Sequence, residues 1–262
     1  MNTPLPSWQT HGGSGPHLLL VHGFLSSSAQ WQLNLDALSS VCQPVTVNLF
    51  GHAGGPSPDD PSCYHPDYYV SCFETIRREL GAQRWCLLGY SLGAGLTLRY
   101  AINHPQQVIC HLFTNSTSGF ADAQQSALWR AAAPEAAARI RAGGISAMER
   151  IPVHPKHAWR LPAPVRDSLL RDAAVHDPNG IARTLEITNP AATMRAGVAQ
   201  NSRPACLLYG EKEKRFRPHM EFAQQAMPAL EITRLDAGHG MNMEAPDAFN
   251  AAVIDFICRC AT

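Results

Sequence analysis

The chain turns from a strand into a helix at Arg84-Trp85-Cys86-Leu87-Leu88-Gly89-Tyr90-Ser91-Leu92-Gly93. The apolar run before Gly89 predicts a buried strand, and the residues from Ala94 to Asn103 predict a helix. A Gly-x-Ser-x-Gly turn in this setting is so tight that the serine backbone is strained, and the two glycines remove side-chain collisions. The hydroxyl is then held at a helix N-terminus, where free N–H groups favour negative charge. We therefore predict that Ser91 is a nucleophile.

A base for this serine is predicted on a loop near the end of the chain. The segment Asp236-Ala237-Gly238-His239-Gly240 follows a strand-like run at Leu230–Leu235 and precedes a helix-like segment at Pro246–Cys260. A histidine on a glycine-flanked loop after the final strand can reach over the sheet edge and take the serine proton. Among 12 histidines, this position singles out His239 as the general base.

An acid that orients the base is expected after the preceding strand, where Tyr209-Gly210-Glu211-Lys212-Glu213 ends an apolar run. A Gly-x-x-acid spacing favours Glu213, and glutamate is an accepted variant in the order Ser, Asp or Glu, His. Glu211 stays open as the alternative, because strand residues two apart point to the same side.

Two backbone N–H groups are expected to bind a developing oxyanion. One belongs to Leu92, which follows the serine, and the other to the early loop that ends the run Leu18-Leu19-Leu20-Val21-His22-Gly23-Phe24. We assign the second donor to Phe24, with Gly23 permitting the close approach. His22 is expected to be structural.

Composition bounds the partners. The 262 residues carry 21 Lys and Arg against 21 Asp and Glu, so the formal net charge is +0, and nucleic acid is not an expected partner. No apolar run is long enough to span a membrane, and Met1–Pro6 lacks signal-peptide features. No membrane partner and a cytoplasmic location are therefore expected. The 8 cysteines are expected to be reduced, and neither a metal nor an organic cofactor is expected.

The rest of the chain alternates between apolar runs and helix-like segments, which predicts an α/β fold with a mostly parallel sheet and helices on both faces. Strands are predicted at 17–23, 44–50, 84–90, 108–114, 204–210 and 230–235. Helices are predicted between them at 29–40, 67–81, 92–103, 215–227 and 246–260.

The alternation stops between residues 119 and 200, where helices are predicted at 124–142, 165–176 and 178–188. We interpret 119–200 as a helical cap over the serine, inserted into a core formed by 1–118 and 201–262. The aromatic residues expected to line a substrate pocket are Tyr90, Trp129 and Trp159. For the two tryptophans, packing within the cap is the alternative.

Taken together, the chain resembles the α/β-hydrolase superfamily over nearly its whole length. More narrowly, it is similar to the branch that contains MenH (2-succinyl-6-hydroxy-2,4-cyclohexadiene-1-carboxylate synthase) and related small capped hydrolases. The motifs that carry the resemblance are Val21-His22-Gly23-Phe24, Gly51-His52-Ala53-Gly54-Gly55, Gly89-Tyr90-Ser91-Leu92-Gly93, Tyr209-Gly210-Glu211, Ala237-Gly238-His239, Glu244-Ala245-Pro246 and Asp177-Pro178-Asn179-Gly180. The resemblance implies an α/β-hydrolase fold. One departure matters: MenH-type enzymes carry an arginine shortly after the serine, and Ala94-Gly95 stands there.

Three hypotheses about function follow. The first is a serine hydrolase that cleaves an ester, thioester or related acyl bond of a small molecule through an acyl-enzyme. The second is a MenH-like lyase that uses the same residues for proton abstraction and elimination. The third is a ligand-binding protein that keeps the fold without turnover, because fold alone does not determine function.

Overall fold

Within residues 4–261, which a computed structural model of the chain describes, seven strands form one sheet. The spatial order is β1-β3-β2-β4-β5-β6-β7, with β1 antiparallel to β3 and every other pair parallel. The strands are β1 Ser7–Thr10, β2 His17–Val21, β3 Gln43–Asn48, β4 Trp85–Gly89, β5 Val108–Thr114, β6 Ala205–Gly210 and β7 Leu230–Leu235. The predicted α/β class and mostly parallel sheet are confirmed.

Eleven α-helices accompany this sheet in the described part of the chain. They are α1 Leu35–Leu38, α2 Pro66–Glu79, α3 Leu92–Asn103, α4 Thr117–Phe120, α5 Ala123–Met148, α6 Ala163–Ala173, α7 Pro178–Arg183, α8 Asn189–Ala191, α9 Arg217–Ala226, α10 Met241–Glu244 and α11 Pro246–Cys260. None of those helices is both long and apolar enough to cross a membrane.

The helix predicted over 29–40 is wrong in its extent. A 3₁₀ turn at Ser28–Trp31 and the short helix α1 occupy this stretch instead. Between them, Asn34 donates from Nδ2 to the carbonyl of Asn242 at 3.0 Å and to Oδ1 of Asn250 at 2.8 Å. These contacts with the C-terminal elements break a helix that local pattern alone favours.

Helices cover both faces of the sheet because alternate strand residues point to opposite sides. Leu18, Leu20 and other residues of the same parity pack with α1 and α11 in one core. Leu19, Val21 and their equivalents pack with α2 and α3 in the other, and α9 covers this second face beside β6. Because β2 to β7 run parallel, their carboxyl ends lie together at one edge of the sheet. Ligand sites form at this edge in such folds.

The connection between β5 and β6, residues 115–204, carries α4 to α8; we refer to it as the β5–β6 insertion. Its long helix α5 is broken at Gly144, whose φ of 55° is outside the helical region. Two hydrogen bonds join the insertion to the loops that follow β2 and β3: Ser27 Oγ donates to Asp172 at 2.5 Å, and Ser57 Oγ donates to Asp177 at 2.7 Å. These contacts fix it over the carboxyl edge of the sheet.

Candidate active site

Ser91 lies on a strained turn between β4 and α3. Its φ of 53° and ψ of −113° are rarely adopted by a residue with a side chain. A Cβ at Gly89 would lie 2.2 Å from Thr97 Oγ1, and a Cβ at Gly93 would lie 2.3 Å from the carbonyl oxygen of Val21. Both positions therefore require glycine, because neighbouring atoms lie too close for a side chain, as the sequence pattern indicates.

Neighbouring strands hold this turn in place. The Ser91 N–H donates to Thr114 Oγ1 at 3.1 Å, and Ser116 Oγ donates to the Ser91 carbonyl at 2.6 Å. On the other side, the Tyr90 N–H donates to the carbonyl of Val21 at 2.9 Å. The ends of β2 and β5 thus fix the backbone on both sides of the serine.

His239 and Glu213 meet at the same edge. The Nδ1 atom of His239 lies 2.8 Å from Oε2 of Glu213. Because an ionised carboxylate only accepts hydrogen bonds, the imidazole proton lies on Nδ1 and leaves Nε2 as the basic atom. The Glu213 side chain is 14% exposed and that of His239 is 36% exposed, so the imidazole is open to solvent while the carboxylate stays inside.

Glu213 is ionised despite its burial. Burial raises the pKa of this carboxyl, but hydrogen bonds from His239 and Asn115 and the charge of Arg215 outweigh burial and hold the pKa below its ordinary value. Glu211, the alternative acid, instead accepts from Arg234 Nη1 at 3.3 Å. The structure thus brings Glu213, and not Glu211, to the histidine.

Tyr90 packs against the imidazole of His239. Its ring contacts that of His239 edge to face, with 5.2 Å between centroids, and contacts that of Trp31 in the same manner at 6.4 Å. Only 7% of Tyr90 is exposed, and burial raises the pKa of its hydroxyl. The ring therefore serves as a rigid wall beside the imidazole.

The backbone N–H groups near Ser91 and Phe24 differ in whether they have a hydrogen-bond acceptor. Gly23 N–H donates to Gln30 Oε1 at 3.4 Å and Leu25 N–H donates to His52 Nε2 at 3.3 Å. Across residues 4–261, no acceptor is present for the N–H groups of Phe24 and Leu92. Both residues line the cavity that also contains Ser91. Two free donors at one serine are what an oxyanion site requires.

His22 braces this loop, as expected of a structural residue. Leu49 N–H donates to its Nε2 at 3.0 Å, so its proton lies on Nδ1, which donates to the carbonyl of Gly23 at 2.7 Å. Complete burial lowers the pKa of His22 to about 3, and the ring is neutral.

A cavity of about 610 Å³ lies between the sheet edge and the β5–β6 insertion, a size typical of small-molecule sites. Ser91, His239 and Glu213 all line it. The apolar and aromatic residues that line it include Phe24, Leu25, Tyr90, Leu92, Trp129, Ile151, Val153, Trp159, Leu161, Leu169, Leu185 and Met243. All three aromatic residues predicted to line a pocket are among them.

The two tryptophans differ in their surroundings. Trp129 is half-buried on α5, whereas Trp159 is 74% exposed, with the guanidinium of Arg160 4.9 Å from its ring centroid. Trp159 therefore lies at the mouth of the cavity.

Two polar residues escaped the sequence-based prediction. Asn115 donates from Nδ2 to Oε2 of Glu213 at 2.8 Å, and Glu244 accepts from the amides on either side of His239. Asn115 directly follows a predicted strand, at the edge where the site was expected, so its position was a usable signal. Glu244 belongs to the motif Glu244-Ala245-Pro246, but its contacts were not foreseen because its partners are backbone amides.

A metal centre is not formed by these side chains. In the described ranges of the chain, no three or more His, Cys, Asp or Glu side chains are placed to hold a metal ion together. The arrangement instead offers a serine, a base with an oriented proton, a buried carboxylate and two free amide donors.

Several curated proteins are similar in sequence. A putative 2-succinyl-6-hydroxy-2,4-cyclohexadiene-1-carboxylate synthase of Bacillus subtilis is 23% identical over 247 residues, covering 92% of this chain and 89% of the relative. A carboxylesterase of the same organism is 24% identical over 247 residues, covering 93% and 80%. A 1-acylglycerol-3-phosphate O-acyltransferase of Arabidopsis thaliana is 30% identical over only 119 residues, 44% of this chain and 28% of that protein.

A solved structure and a family model both match nearly the whole chain. The structure of MenH from S. aureus superposes with a TM-score of 0.84 at 18% identity, covering 97% of this chain and 99% of that one. A model of the alpha/beta hydrolase family matches residues 18–252. The chain belongs to the alpha/beta hydrolase family, and it is similar to MenH and to the putative synthase over nearly its whole length.

Proposed function

We propose that this protein is a serine hydrolase that cleaves a carboxylic ester, thioester or related acyl bond of a small molecule. One observation carries the proposal: Ser91, the His239–Glu213 pair and the free amides of Phe24 and Leu92 all border one cavity. Each part serves acyl transfer, and the family includes enzymes named for ester cleavage.

In the proposed reaction, Ser91 Oγ attacks the acyl carbonyl while His239 Nε2 takes its proton. Glu213 holds the imidazole by Nδ1 and stabilises the charged ring. The N–H groups of Phe24 and Leu92 bind the oxyanion; in comparable sites the loss of one donor costs about 10²–10³ in rate. His239 returns the proton to the leaving group, then activates water, which releases the acid and frees Ser91.

We further propose that residues 119–200 act as the cap of this enzyme. The insertion supplies Trp129, Ile151 and Trp159 to the cavity wall, so it would shape the space above the serine. Closing such a site excludes water and strengthens the electrostatic contacts within it.

The experiment is labelling with a fluorophosphonate probe, followed by intact mass, for the wild type, Ser91→Ala and Ser118→Ala. Ser118 lines the same cavity and serves as the matched control. We expect one adduct on the wild type and on Ser118→Ala and none on Ser91→Ala. An unlabelled, well-folded wild type would reject the hydrolase proposal and favour a ligand-binding protein.

A MenH-like lyase is the second candidate, favoured by the full-length similarity to the putative synthase. The residues after the serine oppose it. A Cβ at Gly95 would lie 2.8 Å from the carbonyl oxygen of Ala192, and Ala94 is 2% exposed in the core. No room exists there for the arginine of MenH-type enzymes. An acyl-enzyme detected by intact mass with p-nitrophenyl butyrate would support the hydrolase, since elimination forms no such adduct.

A further inference from the structure

One carboxylate holds the backbone on both sides of His239. Glu244 ends α10, and its Oε2 accepts from the Gly238 N–H at 2.8 Å while its Oε1 accepts from the Gly240 N–H at 3.2 Å. The side chain does not take the imidazole itself, whose Nδ1 contacts Glu213. Glu244 thus binds the amide N–H groups of the two residues that flank the proposed base.

The backbone of Glu244 also contacts the loop that carries His239. The N–H groups of Met243 and Glu244 both donate to the carbonyl of Gly240 at 2.8 Å. Gly240 therefore donates its N–H to the Glu244 side chain and accepts the Glu244 N–H at its carbonyl, so two hydrogen bonds join these residues. Hydrogen bonds from backbone N–H groups to a charged carboxylate are among the stronger ones in proteins.

This grip also accounts for the glycines around His239. Gly240 has a φ of −83°, and Gly238 is not among the residues with positive φ, so neither needs glycine for its backbone conformation. A Cβ at either position would lie 3.1 Å from Oε1 of Glu244. Glycine at both positions thus leaves room for the carboxylate, and the two glycines and Glu244 depend on one another.

We propose that Glu244 is a positioning residue that fixes the His239 loop, and that glycine at 238 and 240 spares its carboxylate a tight contact with a Cβ atom. The proposal rests on the function proposed for His239. Glu213 fixes the rotation of the ring, whereas Glu244 fixes the position of the backbone that carries it. Displacement of a catalytic group by about 1 Å costs about 10²-fold in rate.

The first test compares Glu244→Ala and Glu244→Gln with the matched control Glu211→Gln, a carboxylate on the adjoining loop that accepts from Arg234. With p-nitrophenyl butyrate we expect kcat to fall about 10²-fold in Glu244→Ala at unchanged KM. Glutamine keeps one acceptor oxygen, so Glu244→Gln should lose about tenfold. Glu211→Gln should match the wild type. A raised KM with intact kcat would overturn the proposal, because Glu244 would then contact substrate directly.

A double-mutant cycle tests the glycine part. Gly238→Ala should lower kcat in the wild type but change little in the Glu244→Ala background, where the space is free. Equal effects of Gly238→Ala in both backgrounds would overturn the link between these residues. Circular dichroism and thermal unfolding of each variant confirm that kcat is compared between folded proteins.

An NMR readout separates this proposal from the proposed function. The His239 Nδ1 proton, bonded to Glu213, is assigned as the downfield signal that is lost in His239→Ala. We expect it to broaden or vanish in Glu244→Ala, although Glu244 makes no contact with that atom. A retained signal would overturn positioning by Glu244. A wild type that shows this signal and its loss in Glu244→Ala but no hydrolysis would reject only the hydrolase function.

Discussion

Asn115 donates from Nδ2 to Oε2 of Glu213 at 2.8 Å, which is the oxygen that also contacts His239 Nδ1. A second contact anchors the amide, since Asn115 Nδ2 lies 3.1 Å from the carbonyl oxygen of Gly210 and its Oδ1 accepts from Gly210 N–H at 3.2 Å. Asn115 therefore joins the end of β5 to the loop that carries the acid.

Asn115→Ala should lower kcat for p-nitrophenyl butyrate about tenfold. A hydrogen bond to a charged group contributes about 1.5–3 kcal/mol, and its loss leaves Glu213 with a pKa nearer its ordinary value and a less fixed orientation. Asn103→Ala, at the exposed end of α3, is the control. An Asn115→Ala enzyme with wild-type kcat would show that Glu213 needs no second partner.

Gly93→Ala should destabilise the protein, because a Cβ there would lie 2.3 Å from the Val21 carbonyl oxygen. Overpacking of a tight core contact costs about 1–3 kcal/mol. The control is Gly12→Ala, where nothing lies within 4 Å of the added carbon. Urea unfolding measures both variants. Equal midpoints for Gly93→Ala and Gly12→Ala would contradict the tight approach of α3 to β2.

Buried histidines should make the protein sensitive to acid. Among residues 4–261, burial lowers the pKa of His22, His52, His111 and His176 to about 3 in each case. The unfolded chain binds protons at these residues near their ordinary pKa of 6.5, and the folded chain does so only near 3. The free energy of unfolding therefore falls as pH decreases from about 6.5 to 3, by about 1.4 kcal/mol per pH unit for each histidine.

His111→Phe isolates one of these contributions. The ring of His111 stacks on Phe113 at 5.1 Å, and its partner Thr97 keeps hydrogen bonds to the carbonyls of Gly93 and Ala94. Urea titrations at pH 4 to 6 give the slope of the free energy of unfolding against pH. In His111→Phe this slope should be smaller by about 1.4 kcal/mol per pH unit, which corresponds to one proton. Asn103→Ala, an exposed substitution that removes no titratable group, should leave the slope unchanged. A wild-type slope in His111→Phe would contradict the neutral state of His111.

The predicted strands correspond to β2 to β7 because each central strand is a continuous apolar run. Strand β1 was missed, since Ser7–Thr10 is four residues long and half-exposed, and its pairing depends on β3 rather than on its own pattern. Helix α3 was predicted with its observed bounds, because its start is set by the turn at Ser91.

The site was predictable to the extent that it follows strand ends. Ser91 and His239 are marked by glycines in sequence, but the choice between Glu213 and Glu211 needed three-dimensional positions, because alternation treats them alike. The position of Asn115 at a strand end was a usable signal, but its partners Gly210 and Glu213 are distant in sequence. The partners of Glu244 are backbone amides, which no side-chain pattern marks.

The strained turn at Ser91 has a consequence for the order of folding. Its backbone is held by Val21 from β2 and by Thr114 and Ser116 from the end of β5, segments separated from it by more than twenty positions in the chain. Such non-local contacts form only after the entropy of closing long loops has been overcome. The turn should therefore acquire its native shape late, after the central strands have assembled. Recovery of probe labelling during refolding would then lag behind the return of secondary structure and report completion of the sheet centre.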